Sequence, residues 1–203
     1  MLDAWHLPLL PLRAMTALEI VAFLLGLANV TLVVLRSIWN YVFGLAMVTL
    51  YAVIFLHTRL YSDALLQVFF FVVQIYGWWN WSRARAAAGE VTVGLLTNRA
   101  RLTWTIGCLA AAALWGYAMH RFTDASFPWA DATLAAMSVA AQILQSRRVV
   151  ESWWLWIAVD IGSVGLYAAK GLWLTMLLYA IFLALAIWGL FDWQRVARRT
   201  APA

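Results

Sequence analysis

The side chains of this chain that could do chemistry are a few polar groups set deep in apolar runs. Asp160 lies seven residues into a run that opens at Trp153, with no basic residue within one turn of it. A carboxyl in lipid is costly and ordinarily faces a bundle interior or a solute path. At 100° per residue, Trp153, Trp156, Asp160, Ser163 and Tyr167 fall within a stripe about 80° wide. In the run that ends at Trp81, the residues Gln67, Gln74, Trp78 and Trp81 are spaced by seven, four and three and so share a helix face. Amides and hydroxyls hydrogen-bond a hydroxylated or heterocyclic solute, and indoles stack on its ring. A carboxylate beside aromatic faces receives an organic cation. These residue types point to recognition of an aromatic, polar, positively charged small molecule.

Bond-making chemistry finds no support. The chain has no glycine-rich phosphate loop, zinc-protease motif or nucleophile elbow. His6, His57 and His120 lie at run ends without ligand spacing, so neither a metal nor a cofactor is expected. The single Cys108 lies in an apolar run, which excludes a disulfide framework and fits packing. Plainer readings stand beside the functional one. Gln67 and Gln74 can act as helix glue, and Asp160 can be protonated or bonded to a neighbouring helix. Trp5, Trp39, Trp104, Trp129, Trp173 and Trp193 fit interfacial belts. Trp153 and Trp154 sit near a helix end and fit either role. Glu19 can snorkel or cap.

The elements that must position these groups are membrane helices. Of 203 residues 66% are hydrophobic and 11% charged, with a mean hydropathy of +0.82, against roughly 25% charged in soluble domains. The apolar runs are continuous rather than alternating, which selects a helical bundle over a barrel. Spans are expected over 16–34, 39–56, 64–81, 102–119, 130–144, 153–169 and 172–193. Residues 1–12, with Trp5, Pro8 and Pro11, read as an interfacial lead-in to a retained first helix, since a signal-peptide n-region and cleavage site are lacking. The polar stretch 82–101 divides the chain.

The segments IYGWWNW (Ile75 to Trp81) and IWGLFDW (Ile187 to Trp193) each close a long apolar run, and the second echoes the first by residue class: Ile, aromatic, Gly, two large apolar residues, Asn or Asp, and Trp. Gly77 and Gly189 are 112 residues apart, and Tyr51 and Tyr167 are 116 apart, a difference assigned to the connecting turn. Trp39 and the Trp153, Trp154 pair open the corresponding segments. The chain therefore reads as two parallel three-helix repeats joined by a linker helix, a 3+1+3 all-α membrane protein. Its parts are 16–81, a loop and linker at 82–129, 130–193, and a tail at 194–203. Arg13, Arg59, Arg121 and Lys170 fall on one side and the other ten basic residues on the opposite side. The positive-inside rule then puts the N-terminus outside and the C-terminus in the cytoplasm. This clustering at run ends explains the net charge of +5 better than nucleic-acid binding does.

Beyond these patterns, several stretches resemble the PnuC family of bacterial vitamin transporters, over Glu19 to Trp193. They are NYVFGLAMVTLY (Asn40 to Tyr51), LYSDALLQVFFF leading into IYGWWNWSR (Leu60 to Arg83), FPWAD (Phe127 to Asp131) and ESWWLWI (Glu151 to Ile157). The resemblance implies a fold similar to that of the SWEET sugar carriers, a homotrimer in the bacterial inner membrane, and facilitated diffusion with alternating access. A cytosolic kinase would trap the solute. The nicotinamide riboside carriers of the family have Trp, three residues, Asn in the sixth helix; here Trp156 is followed by Asp160. An acid in that place favours a cation or a donor-rich ring, so nicotinamide riboside, a pyridinium, is expected, with thiamine as the alternative. Asn40, from the first matching stretch, joins Gln67, Gln74, Trp78, Trp153, Trp156, Asp160, Ser163 and Tyr167 as the expected solute-binding set. A membrane enzyme or a non-transporting scaffold subunit is the alternative from another class.

Overall fold

Backbone polar groups cannot go unpaired in lipid, and runs of Leu, Ala, Val and Phe offer them only the helix. A computed structural model describes residues 12–57, 61–123, 127–169 and 173–200. They form seven α-helices: α1 Leu12–Val34, α2 Asn40–His57, α3 Tyr61–Ala88, α4 Asn98–Phe122, α5 Pro128–Ser146, α6 Ser152–Ala169 and α7 Trp173–Thr200. The expected lead-in, Arg59, Lys170 and the side chains of Arg13 and Glu19 lie outside what is described. By length and composition α2, α4 and Met176–Arg199 of α7 each suffice to cross a membrane. Two helices outrun their apolar spans. α3 continues through RARAAA, and α7 through QRVARRT, because Ala and Arg are strong helix formers in water as well.

Local sequence sets the ends. Thr97 caps α4, its hydroxyl accepting from the Ala100 N–H, and Pro128 opens α5 where no amide donor is needed. Gly89, at φ 78°, ends α3 with its N–H donating to the Arg85 carbonyl at 2.8 Å.

Successive helices pack within α1–α2–α3 and within α5–α6–α7, and the two groups meet through α1 with α7 and α3 with α5. α4 packs only on α5 among the described helices. Residues 112 positions apart do the same things in the two groups. α2 and α6, and α3 and α7, are offset by 112 at both ends, and α1 and α5 end at Val34 and Ser146. Arg36 and Arg148 both take positive φ, 54° and 63°. The Trp81 indole N–H donates to the Gln145 carbonyl at 3.1 Å, and the Trp193 indole N–H to the Val33 and Val34 carbonyls at 3.3 and 3.2 Å. Tyr41 meets Trp81, and Trp153 meets Trp193, each edge-on with centroids 5.4 Å apart. A Cβ on Gly77 would lie 2.5 Å from Tyr41, and one on Gly189 2.5 Å from Trp153. Glycine is required at both for this approach of helices.

The constant offset corrects one expectation. Three residues separate α2 from α3, and three separate α6 from α7, so Tyr51 corresponds to Ser163, and Phe55 to Tyr167. Four residues are close to one helical turn, so both registers keep the same face and the sequence could not separate them.

The best-buried cluster lies at the end of the bundle where α1, α3, α5 and α7 finish. It joins Tyr41, Trp81, Trp153 and Trp193 to Val33, Val34, Val150, Ala186 and Leu190. Trp193, expected at an interface, is fully buried there, its indole donating to the last two carbonyls of α1, of which that of Val33 also accepts from the Arg36 N–H. Val91 and Val93 enter the same cluster from the segment between α3 and α4. That segment pairs in parallel with the α5–α6 turn, Gly94 donating to the Arg148 carbonyl and accepting from the Val150 N–H, both at 3.0 Å.

Candidate solute-binding site

Asp160 is 4% exposed in the middle of α6, with Ser163, equally buried, one turn beyond it. Helix spacing also puts Tyr167 on this face. Tyr167 stacks on Tyr179 of α7, centroids 5.3 Å apart and planes 19° apart, and their side chains hydrogen-bond. Tyr179 is close enough to Asp160 and to Tyr51 of α2 to feel both electrostatically. Tyr51 stacks on Phe55 at 5.7 Å, and Tyr179 meets Phe182 edge-on at 6.1 Å. A buried carboxyl thus stands among phenols and rings from α2, α6 and α7.

One level nearer the basic end, a Cβ on Gly26 would lie 3.0 Å from the Met47 sulfur and 3.3 Å from Phe182. This glycine lets α1 close on α2 and α7. One turn further along α1 and α2, Asn29, Gly44 and Gln74 converge. The amide atoms of Gln74 and Asn29 occupy the space that a Gly44 side chain would take, at 2.1 and 2.6 Å from its Cβ position. Asn29 donates to the Asn40 carbonyl at 2.7 Å. The Gln74 side-chain oxygen is buried with no partner among the described residues, and such an atom costs about 1–3 kcal/mol unless something donates to it. Beyond this level the ring cluster Tyr41–Trp81–Trp193–Trp153, at most 3% exposed, closes the bundle.

The expected residues therefore divide. Asp160, Ser163 and Tyr167 come together, with Gln74 two levels away. Gln67 is half-buried on α3, at the position that Tyr179 holds on α7. Trp156 is half-buried and donates its indole N–H to the Gln145 side chain at 2.8 Å. Trp78 is 38% exposed and lies parallel to Tyr41 at 6.5 Å. Trp153 belongs to the ring cluster, 1% exposed. Asn40 is buried at the start of α2, where its side chain donates to the Ser37 carbonyl at 2.6 Å. Sequence reasoning missed Tyr179 and Asn29. The constant offset applied to Gln67 points to Tyr179, and Asn29 is an amide inside an apolar run.

Two open cavities lie elsewhere. One of about 290 Å³ runs between α4 and α5 past Cys108 and Gly107. The other, about 300 Å³, borders Arg101, Glu151, Trp154 and Gln194 at the basic end.

Comparison with known proteins agrees with a carrier. Residues 16–195 match the family described as nicotinamide mononucleotide transporter. The chain is 32% identical to the nicotinamide riboside transporter PnuC of Escherichia coli (strain K12) over 206 residues, covering 89% of this chain and 86% of that one. It is also 32% identical to the riboflavin/roseoflavin transporter RibM of Streptomyces davaonensis over 190 residues, with the same coverage. The crystal structure of the vitamin B3 transporter PnuC superposes with a TM-score of 0.75 at 27% identity, over 92% of this chain and 84% of that chain. With seven helices, a match along nearly its whole length and a buried carboxyl among rings, the chain belongs to the PnuC family of membrane transporters, which are carriers and not enzymes.

Proposed function

We propose that this transporter carries nicotinamide riboside across the bacterial inner membrane by facilitated diffusion, α1–α3 rocking against α5–α7 around the level of Asp160. The observation that carries the reading is the buried Asp160 with Tyr167 and Tyr179 beside it. A carboxylate in a low-dielectric site is a counter-ion for a pyridinium, phenol rings stack on its face, and Ser163, Asn29 and Gln74 offer hydrogen bonds to ribose hydroxyls and the carboxamide. The constant 112-residue offset supports two related halves, as midplane sites between repeats require. The charge bias supports a cytoplasmic C-terminus, where a kinase would trap the vitamin. The exposed flank of α4, including Leu102, Ile106, Leu109 and Tyr117, suits the expected homotrimer.

Uptake of labelled nicotinamide riboside into proteoliposomes tests this directly. It should exceed that of empty vesicles, and Asp160→Ala should weaken apparent affinity at least tenfold, about 1.4 kcal/mol. Uptake that survives Asp160→Ala unchanged would remove the carboxyl from the mechanism. The RibM relative favours riboflavin as a second reading. Its ring is neutral and needs no counter-ion, so riboflavin transport insensitive to Asp160→Asn would select it. Thiamine, the other cation considered, is not favoured by these relatives; competition with labelled riboside measures its claim.

A further inference from the structure

The two pseudo-equivalent turns at the basic end differ in one respect. Arg36, in the α1–α2 turn, pairs with Asp192 of α7. Arg148, its counterpart in the α5–α6 turn, instead donates to the backbone and hydroxyl oxygens of Thr92, at 3.2 and 3.1 Å, in the segment between α3 and α4. That segment is zipped to the turn along its length. Gly94 pairs with Val149, and the Leu96 N–H donates to the Glu151 carboxylate, which also holds Arg101 of α4. It carries Val91 and Val93, 3% and 7% exposed, into the cluster where Trp81 of one half meets Trp193 of the other.

We propose that residues 91–96 are a latch on the basic end of the carrier, and that solute leaves at that end only when the latch peels from the α5–α6 turn. Parting the halves there separates Trp81 from Trp193 and opens the buried cluster that the two valines share with them. Those valines move only with their own backbone, and the bonds that hold that backbone are made with residues 148–151. Gly89, with its positive φ and no atom within 4 Å of an added Cβ, is the joint at the α3 end. The bonds are few and lie at part-buried positions, as suits an element that opens in each cycle.

Two measurements test the latch in the full chain with Cys108→Ala. Gly94→Cys with Val149→Cys places thiols on bridge-paired residues, within reach of a disulfide, and nothing crowds a side chain at Gly94. The cross-linked protein should lose at least tenfold in nicotinamide riboside uptake and regain it on reduction; undiminished uptake while cross-linked overturns the proposal. Independently of substrate, a cysteine introduced by Ala186→Cys, 2% exposed in the cluster, reports opening in detergent through its rate of maleimide labelling. Arg148→Gly suits the positive φ and removes the guanidinium, so labelling should be at least threefold faster than in the Arg148 parent, and equal rates overturn the latch. If the reduced double-cysteine protein moves no riboside, the substrate assignment fails, and the labelling arm still decides the latch.

Discussion

Gly189 and Gly165 lie in neighbouring helices of one half, yet a methyl group means different things at each. At Gly189 it would meet the Trp153 indole at 2.5 Å, whereas at Gly165 nothing lies within 4 Å. The indole is wedged against Trp193 and cannot swing aside, so Gly189→Ala should destabilise by about 1–3 kcal/mol and lower the melting temperature in detergent by several degrees. Gly165→Ala should leave it unchanged or raise it slightly, since helical Ala is preferred over Gly by about 0.8–1 kcal/mol. Equal melting temperatures for the two variants would contradict the packing of α6 on α7. The same contrast explains why Trp153, expected in the solute-binding set, lies in the ring cluster at 1% exposure. A neighbouring helix supplies a glycine for its ring to lie against.

Pairs of helix ends hold the basic end of the bundle together. Trp81 ties α3 to α5 and Trp193 ties α7 to α1, each through an indole N–H on a terminal carbonyl. Trp81→Phe and Trp193→Phe keep most of the ring and remove the donor, so each should cost about 1–3 kcal/mol. Because the rings touch with centroids 5.6 Å apart, the double variant should depart from additivity by at least about 0.5 kcal/mol. Chemical unfolding in a mild detergent measures all three. Additive losses would mean that the ties act separately and that the halves are not joined through this contact. The Arg36–Asp192 pair joins the α1–α2 turn to α7, but the two side chains are 21% and 30% exposed and solvent screens it.

At the scale of the whole molecule, polar groups form a column: Asn29 and Gln74 around Gly44 on α1–α3, then Asp160 and the tyrosines on α2, α6 and α7. The ring cluster closes it at the basic end. A ligand bound in this column stabilises the fold by mass action, about 2.7 kcal/mol at one hundred times its dissociation constant. Nicotinamide riboside at saturation should therefore raise the melting temperature of the unmodified chain, and Asp160→Ala should abolish the shift without abolishing folding. An equal shift in that variant would place the vitamin elsewhere.

Composition and continuous apolar runs are enough to require membrane helices, because lipid leaves backbone polar groups no other partner. The Ile, Gly and Trp shared by IYGWWNW and IWGLFDW are enough to suggest an internal repeat, but leave its register open by one helical turn. Asp160, Ser163 and Tyr167 were legible because helix periodicity alone puts them on one face. Tyr179, Asn29, the ring cluster and the latch were not, because each depends on which helix lies opposite. An indole at a run end looks the same in sequence whether it anchors in headgroups or caps a neighbour's carbonyls. Only the packing of α1 on α7 and α3 on α5 decides that Trp81 and Trp193 do the second.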